Sequence, residues 1–247
     1  RRNFCNLGSK AISLEAKSYI MKAVIFAAGK GKRMGELSDE TPKPLLRVLR
    51  KSLLEHKLDS LPEQIKEVLI VVGHLKEKII NHLGESYDGR KITYIVQDEL
   101  LGTAHCLFLC KEHLLGEEKF LVMMGDDIYC KDDMVECLKY DFAILIREVD
   151  SVFGKGKVIF DHEGRIKDIL EKYPEKTPGF VGTGMYVLTP KIFDYEMVSI
   201  EGGEFGLPQT ILSAKKDVEI KAVQSRFWLQ ISAPEDLSIA ETFLKIR

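Results

Sequence analysis

The residues best suited to chemistry lie in a glycine-rich turn near the beginning of the sequence. The apolar strand pattern AVIFAA runs directly into GKGKR, where Gly29 and Gly31 allow a tight turn and present backbone N–H groups to an anion. Two lysines and Arg33 add positive charge to the same turn. The segment 22–46, KAVIFAAGKGKRMGELSDETPKPLL, therefore predicts a binding site for the phosphates of a nucleoside triphosphate.

Two familiar phosphate-binding patterns do not fit this turn. A dinucleotide-binding fingerprint needs a third glycine three residues after Gly31, where Met34 stands, and the GKS or GKT of a P-loop is missing. A glycine-rich turn without a ligand is the alternative, but Arg33 and the Pro-Lys-Pro around Lys43 favour a phosphate site. Dehydrogenases and ATPases of the common kinds are therefore disfavoured.

Further candidates follow two other predicted strands. The strand FLVMM leads to Gly125, Asp126 and Asp127, where a carboxylate can hold Mg²⁺ against phosphate oxygens; hydrogen-bonding turn residues are the alternative. Gln97 ends the strand ITYIVQ, and its amide suits the edge of a pyrimidine base; an exposed loop glutamine is the alternative. The nearby Gly102 would let a base approach the backbone.

Several segments together resemble the sugar-phosphate nucleotidylyltransferase family. AAGKGKRM at 27–34, followed by TPKPLL at 41–46 and LLEHKLDSL at 53–61, is similar to the family signature. Further family features follow in order: LGTAH after Gln97, GDD at 125–127, EK at 171–172, GTGMYVL at 182–188, and FW followed by APEDL. The resemblance covers essentially everything after Met21 and implies transfer of a nucleotide onto a sugar 1-phosphate.

The resemblance assigns roles to residues of the first half. It implies that Gly29, Gly31 and Arg33 hold the triphosphate and that Gln97 and Gly102 contact the base. Ala28 and Thr103 are further predicted nucleotide-binding positions. Lys43 would neutralise the departing pyrophosphate, and Asp126 would bind Mg²⁺ as the cofactor. The physical chemistry agrees, because nucleotidyl transfer depends mostly on positioning the reactants and stabilising charge on phosphate oxygens.

For the second half, the resemblance implies a site for the sugar phosphate. The predicted sugar-binding positions are Gly156, Glu171, Thr183 and Gly184. Lys172 would contact the phosphate and joins Arg33 and Lys43 as a predicted catalytic residue; a solvated Glu–Lys couple is the alternative for 171–172. Two departures from the family pattern lie here, because Tyr173 interrupts the expected EKP and Gly182 replaces an asparagine.

Gln230 is the departure with the largest chemical consequence. Many members of the family carry an aspartate two residues after the tryptophan as a second metal ligand, and Gln230 stands at that position. A neutral amide binds Mg²⁺ far less well than a carboxylate. Three outcomes are open: one carboxylate with phosphates and waters suffices, Asp127 compensates, or catalysis is weakened.

Apolar runs alternate with helical patterns beyond Met21. The strand runs are AVIFAA, VLIVVG, ITYIV and FLVMM, and helices are predicted near 52–61, 76–83 and 103–114. Runs that are apolar throughout fit a parallel sheet covered by helices on both faces, whereas the pattern after Asp141 predicts a mixed or antiparallel extension. A closing helix is predicted from Pro234 to Ile246. We expect an α/β fold, a Rossmann-like three-layer α/β/α arrangement with a mostly parallel mixed sheet, of the nucleotide-diphospho-sugar transferase type.

Composition limits the classes of partner and compartment. The chain has 247 residues and a formal net charge of -2 without a basic stretch, which disfavours nucleic acid. No run approaches the roughly 20 apolar residues needed to span a bilayer, so no membrane partner is expected. Five cysteines without a CxxC pair predict a cytoplasmic location. Cys106, Cys110 and His113 share a predicted helix face, where packing against the sheet is favoured over a zinc site.

The domain and functional hypotheses follow from these patterns. Residues 1–20 are interpreted as an extension or tag, expected to be disordered, and 21–247 as one nucleotidylyltransferase domain; a homo-oligomer is left open. UTP or dTTP is the preferred donor, because Gln97 suits a pyrimidine and LGTAH is similar to uridylyltransferases. The alternatives are a cytidylyl- or guanylyltransferase acting on phosphocholine or mannose 1-phosphate, and a non-catalytic nucleotide-sugar-binding regulatory protein.

Overall fold

The computed structural model describes residues 20–246, so the predicted extension, apart from Ile20, lies outside the described residues. The strands are β1 (Met21–Ala27), β2 (Arg47–Val48), β3 (Lys51–Ser52), β4 (Ile65–Val72), β5 (Ser86–Tyr87), β6 (Arg90–Val96), β7 (Phe120–Met124), β8 (Ile128–Tyr129), β9 (Ala143–Val149), β10 (Lys157–Phe160), β11 (Ile166–Leu170), β12 (Gly179–Leu188), β13 (Lys221–Gln224) and β14 (Trp228–Leu229). The helices are α1 (Leu37–Glu40), α2 (Leu53–Ser60), α3 (Lys76–Leu83), α4 (Thr103–Leu109), α5 (Lys111–Leu114), α6 (Lys131–Cys137), α7 (Leu207–Ser213) and α8 (Pro234–Ile246). Short 3-10 turns cover Lys32–Met34, Lys43–Leu45, Pro190–Asp194 and Ala214–Lys216. Within residues 20–246, no helix combines the length and apolar character required to cross a membrane.

One large mixed sheet forms the centre of the fold. Its strand order is β11-β10-β12-β7-β1-β4-β6-β5, with β9 paired to β12 and β13 paired to β9. β1 runs parallel to β4 and β7, and β4 runs parallel to β6, whereas β12 is antiparallel to both β7 and β9. The predicted α/β fold with a mostly parallel mixed sheet and an antiparallel extension is therefore confirmed.

The central strands are buried on both faces, which explains why their sequences are apolar throughout rather than alternating. In β1, Val24 and Phe26 belong to one core cluster together with Leu107 of α4. Ile25, which points to the opposite face, belongs to a second cluster with Leu54 of α2. Helices therefore cover both faces of the sheet, as the predicted three-layer arrangement requires.

Local signals set the beginnings of two helices. α2 begins with a capping box, in which Ser52 Oγ accepts from the Glu55 N–H at 3.2 Å and Glu55 Oε2 accepts from the Ser52 N–H at 2.7 Å. α8 begins at Pro234, which confirms the first-turn position predicted for this proline. Asp236 of its first turn accepts a hydrogen bond from the Ser232 N–H at 2.6 Å.

Where the sequence predicts one helix over 103–114, the structure has two short helices that meet at Cys110. The Cys110 N–H donates to the Leu107 carbonyl oxygen at 2.9 Å, three residues earlier, and its ψ angle is -2°. This tighter, 3-10-like bond ends the α-helical pattern of α4, and α5 begins at the next residue. Cys106 and Cys110 both pack in the core against the sheet.

The strand β12 changes its pairing at residues 183–185. It pairs with β9 up to Gly182 and again from Tyr186, and with β7 from Met185 onward. Gly184 has a φ of +77°, and a Cβ there would lie 2.5 Å from Met124 Cγ, so the position requires glycine. This irregularity brings the predicted sugar-binding residues of β12 to the end of β7.

Candidate active site

Two adjoining cavities open at the carboxyl ends of β1 and β7. The first cavity, of about 550 Å³, is lined by all the predicted nucleotide-binding positions: Ala28, Gly29, Gly31, Gln97, Gly102 and Thr103. The second cavity, of about 730 Å³, is lined by the predicted sugar-phosphate positions: Gly156, Glu171, Lys172, Thr183 and Gly184. Arg33, Lys43 and Asp126 line both cavities, so two predicted catalytic residues and the predicted metal ligand lie at their junction.

The glycine-rich turn leaves space above the end of β1. Gly31 has a φ of +65°, and a Cβ there would lie 3.2 Å from Lys43 Cβ, so the turn packs directly against the segment that carries Lys43. Ser38 Oγ donates to the Gly31 carbonyl oxygen at 3.1 Å and holds the turn in place. A Cβ on Gly29 would meet nothing within 4 Å, so this side of the turn is open toward the first cavity.

Lys43 and Asp126 form an ion pair at the junction. Lys43 Nζ lies 2.5 Å from Asp126 Oδ2, and the lysine side chain is only 9% exposed. Lys43 begins a 3-10 turn between two prolines, which stiffens its backbone, and Asp126 follows β7. A cationic and an anionic side chain are thus held in direct contact where the two cavities meet.

The donor set at the junction fits Mg²⁺ only with help from substrate oxygens. Among residues 20–246, no group of three or more histidine, cysteine or acidic side chains is arranged to hold a metal ion. Asp126 faces both cavities, whereas Gln230 Oε1 accepts a hydrogen bond from Lys155 Nζ at 2.6 Å. Because Mg²⁺ in phosphate sites is commonly bound by one or two carboxylates plus phosphates and water, Asp126 is the residue that would hold it.

Asp127 has a different role from its neighbour. Its Oδ2 accepts from Trp228 Nε1 at 3.0 Å and its Oδ1 accepts from the Ile231 N–H at 3.2 Å, so both oxygens bind the C-terminal segment. The backbone carbonyl oxygen of Asp127 accepts from Lys57 Nζ. Burial raises the pKa of the Asp127 carboxyl, and the adjacent carboxylate of Asp126 raises it further. Both oxygens of the Asp127 carboxylate are therefore engaged within the protein, and its compensation for the second metal carboxylate stays a prediction.

Gln97 lines the first cavity, but its amide is engaged within the protein. Its Nε2 lies 3.3 Å from the Gly102 carbonyl oxygen and 3.0 Å from His105 Nδ1, and its Oε1 accepts from Cys106 Sγ at 3.0 Å. Packing alone requires a glycine at position 102, since a Cβ there would lie 2.5 Å from the Phe205 carbonyl oxygen. Contact of these residues with a base stays a prediction.

The side chains of Glu171 and Gln209 line the second cavity. A Cβ on Gly156 would lie 3.2 Å from Glu171 Oε2, so this glycine leaves room for the carboxylate. Gln209 Nε2 donates to the Ile169 carbonyl oxygen at 3.2 Å, while its buried Oε1 has no hydrogen-bond partner among the described residues. By contrast, Thr183 Oγ1 donates to the Leu145 carbonyl oxygen at 3.0 Å and is used internally.

Lys172 lies at the outer rim of the second cavity. Its backbone has a φ of +49°, its side chain is 75% exposed, and its Nζ lies 4.0 Å from Glu201 Oε2. Of the three predicted catalytic residues, Arg33 and Lys43 line both cavities, whereas Lys172 lines only the second. Sequence reasoning missed Lys155 and Gln209, which line the same cavity without belonging to any recognisable motif.

The fold and the site together define a class of protein. A mostly parallel sheet carries two cavities at its carboxyl edge, and cationic side chains lie where the cavities meet, which suits the joining of two phosphate-bearing ligands. The family model for nucleotidyl transferases matches residues 22–244, and the chain belongs to this family of enzymes. The predicted family is therefore confirmed.

Similar proteins narrow the comparison further. The chain is 34% identical over 237 residues to UTP--glucose-1-phosphate uridylyltransferase AglF of Haloferax volcanii, with 91% of this chain and 97% of that protein covered. It is 30% identical to the Bifunctional protein GlmU of Methanocaldococcus jannaschii, but it spans only 54% of that relative's length. A crystal structure of a putative glucose-1-phosphate thymidylyltransferase from Bacillus anthracis, in complex with a sucrose, superposes with a TM-score of 0.80 at 26% identity, covering 90% of this chain and 94% of that one.

Proposed function

We propose that this protein transfers a nucleotidyl group from a nucleoside triphosphate to a sugar 1-phosphate, releasing pyrophosphate. The observation that carries the proposal is the junction, where Arg33, Lys43 and Asp126 line both cavities. A nucleotide in the first cavity and a sugar phosphate in the second would bring their phosphates together there. Binding two reactants in adjoining sites removes much of the entropic barrier to their reaction.

The chemistry needs no covalent enzyme intermediate. A phosphate oxygen of the sugar phosphate attacks the α-phosphorus in line, and the bond from that phosphorus to the β-phosphate oxygen breaks, so pyrophosphate leaves with the electron pair. Arg33 and Lys43 stabilise negative charge on the transferring and leaving oxygens, which is the main catalytic demand of such a transfer. Mg²⁺ held by Asp126 would supply further charge neutralisation at the same phosphates.

UTP or dTTP is the proposed donor and glucose 1-phosphate the first acceptor to test. The Haloferax relative is named a uridylyltransferase and the Bacillus protein a thymidylyltransferase, both for glucose 1-phosphate, which supports a pyrimidine without deciding between the two. Cytidylyl or guanylyl transfer is the runner-up within the class. A regulatory protein that binds nucleotide sugars without catalysis is favoured by one observation, the neutral Gln230 beside the junction.

Pyrophosphate release tests the proposal. The purified chain is incubated with Mg²⁺, each of the four ribonucleoside triphosphates or dTTP, and glucose 1-phosphate or another sugar 1-phosphate. We expect release with UTP or dTTP, and at least a hundredfold lower rate in Lys43→Ala, because that variant loses a charge at the reacting phosphates. The matched control is Lys51→Ala, since Lys51 pairs with Asp59 on the exposed side of α2. Nucleotide-sugar binding without pyrophosphate release from any pair would instead establish the regulatory alternative.

A further inference from the structure

Lys155 is a positively charged group of the second cavity that the proposed reaction does not yet use. Among the described residues, Lys155 and Lys172 are the two lysines that line the second cavity but not the first. Lys172 is exposed at the rim beside Glu201, whereas Lys155 is half-buried and its Nζ lies 2.6 Å from Gln230 Oε1. The ammonium group of Lys155 is therefore fixed by a hydrogen bond within the protein, whereas that of Lys172 extends into solvent.

Both the backbone and the ammonium group of Lys155 are fixed. The Lys155 N–H donates to the Val152 carbonyl oxygen at 3.0 Å, and the Lys155 carbonyl oxygen accepts from the Tyr173 N–H at 3.0 Å. At the other end, Nζ binds Gln230 and lies 5.9 Å from the centroid of the Trp228 ring. An ammonium held at both ends loses little further freedom when it binds an anion, which favours binding.

Gln230 is itself held in place by its neighbours in the chain. Trp228 Nε1 and the Ile231 N–H, on either side of it, both donate to the buried carboxylate of Asp127. Asp127 directly follows Asp126, so the end of β7 is connected through Asp127 to the segment that carries Gln230. The position of Lys155 is thereby linked to the junction of the two cavities.

The neutral partner leaves the charge of Lys155 available. An ammonium has three N–H donors, and an amide oxygen occupies one of them without cancelling the positive charge. A carboxylate at position 230 would form an ion pair with Lys155 and reduce its attraction for an anion. Lys43, by comparison, already has a carboxylate partner in Asp126.

We infer that Lys155 binds the phosphate of the sugar 1-phosphate, and that Gln230 acts as the positioning residue that holds Lys155 without neutralising it. The inference rests on the proposed function, since it names the residue that anchors the second substrate of that reaction. It also gives the absence of an acid at position 230 a physical reason. The amide of Gln230 holds Lys155 by a hydrogen bond, while Asp126 would be the carboxylate that binds the metal.

The single tryptophan of the sequence, Trp228, provides a direct test because it lies beside Lys155. The full chain is titrated with glucose 1-phosphate, following tryptophan fluorescence and, independently, isothermal titration calorimetry. We expect Lys155→Met to weaken glucose 1-phosphate binding at least tenfold, because the variant loses a charge-assisted hydrogen bond to the phosphate. Glucose, which has no phosphate, should show no difference between the two proteins.

Lys157→Met is the matched control, because its Nζ lies 4.0 Å from the Tyr173 ring centroid and the residue lines neither cavity. It should bind glucose 1-phosphate as the wild type does. UTP affinity, measured on the same samples, should be unchanged in Lys155→Met and shows that the variant is folded. Gln230→Glu should weaken glucose 1-phosphate binding more than Gln230→Ala, because only the glutamate neutralises Lys155.

The outcomes separate this inference from the proposed function. Equal glucose 1-phosphate affinity in Lys155→Met and wild type, or a larger loss in Lys172→Met, would overturn the role of Lys155 while leaving nucleotidyl transfer intact. A greater loss in Gln230→Ala than in Gln230→Glu would overturn the claim that a neutral partner keeps the charge of Lys155 available, and unchanged affinity in Gln230→Ala would overturn the positioning role of Gln230. If the wild type bound neither a nucleoside triphosphate nor any sugar phosphate, the proposed function would fail, and this inference with it.

Discussion

At the residue scale, the contact of Lys43 with Asp126 places opposite charges where negatively charged phosphates must bind. The two atoms lie 2.5 Å apart, so the lysine cannot face a phosphate fully while the carboxylate holds it. A cation bound to Asp126 would weaken this pair and release Lys43 toward the phosphates. Binding of metal and binding of nucleotide are therefore expected to help each other, with Asp126 as the link between them.

Replacing Asp126 with asparagine tests this linkage through nucleotide binding in the absence of metal. With EDTA present, Asp126→Asn should bind UTP about tenfold more tightly than wild type, because a like charge is removed and Lys43 is no longer neutralised. Adding Mg²⁺ should tighten UTP binding to the wild type much more than to the variant. Calorimetric titration measures both, with the exposed Asp98→Asn as control. Unchanged or weaker UTP binding by Asp126→Asn in EDTA would contradict the linkage.

Sequence patterns located the junction residues well, because they lie within local motifs that follow strands. They could not reveal the partners of those residues. Gln97 was predicted to meet a base, yet its amide oxygen accepts from Cys106, nine residues later in the chain. The hydroxyl of Thr183 donates to Leu145, 38 residues away, and Lys155 meets Gln230 at a separation of 75 residues. Such pairings depend on how distant segments meet in the folded chain, which residue types alone do not specify.

At the element scale, α2 contacts the end of β7 through a buried lysine, Lys57. Lys57 Nζ donates to the backbone carbonyl oxygen of Asp127 and lies 4.3 Å from the centroid of the Tyr129 ring of β8. Burial lowers the pKa of Lys57 to about 8, although the nearby Asp127 and Asp126 oppose that change. The lysine therefore partly compensates the negative charge at the end of β7 from the side away from the cavities.

Lys57→Met should destabilise the fold by about 3 kcal/mol, because it leaves the buried Asp127 without its compensating charge. Lys51→Met, which disrupts the exposed pair between Lys51 of β3 and Asp59 of α2, should cost less than about 1 kcal/mol. Urea unfolding at pH 7.5 measures both free energies.

The cost of Lys57→Met should also increase with pH. Between about 8, the pKa of Lys57 in the folded state, and its ordinary value of 10.5, the unfolded chain binds more protons, so the contribution of Lys57 to stability rises with pH. Without Lys57, the pKa of Asp127 rises further, and its ionisation costs the variant more stability as pH increases. Repeating the urea series at pH 9 should therefore widen the gap from wild type. A gap that narrows would show that Lys57 does not have a depressed pKa.

Most of the elements were predictable because apolar runs and cap residues are local signals. The exceptions depend on contacts far along the chain. The helix predicted over 103–114 breaks at the fully buried Cys110, and β12 becomes irregular where Gly184 packs against Met124. The two-residue strands β8 and β14 pair with each other at a separation of about 100 residues, too short for any periodic pattern to mark.

At the scale of the whole molecule, the two cavities correspond to the two halves of the sheet. The parallel strands β1 and β6 end beside the first cavity, and the strands β11 and β12 of the antiparallel extension border the second. The change in the strand pattern after Asp141 predicted the parallel and antiparallel parts of the sheet. It did not predict that the two cavities meet at Arg33, Lys43 and Asp126. Since β1 and β7 are adjacent at the centre of the sheet, a ligand with a diphosphate could extend from one cavity into the other.

Two glycines allow each cavity to be blocked separately. A Cβ on Gly29 in the first cavity or on Gly182 in the second would meet nothing within 4 Å, and neither residue has a positive φ, so the backbone accepts a side chain, and valine should fill part of the cavity. Gly29→Val should abolish stabilisation by UMP but retain that by glucose 1-phosphate, and Gly182→Val should do the reverse. UDP-glucose, which would occupy both cavities, should lose its effect in both variants.

Thermal unfolding measures these effects in one format. A ligand at 100 times its dissociation constant stabilises the native state by about 2.7 kcal/mol, which raises the Tm of a protein of this size by about 5–10 °C. Gly116→Val is the control, because a Cβ at that exposed position also meets nothing and lies outside both cavities. UDP-glucose would make contacts in both cavities, but it loses its translational and rotational freedom only once on binding. At equal concentration it should therefore stabilise the wild type more than UMP or glucose 1-phosphate does. If either valine variant kept its full UDP-glucose shift, that ligand would not extend across both cavities, and the two-cavity arrangement of substrates would have to be abandoned.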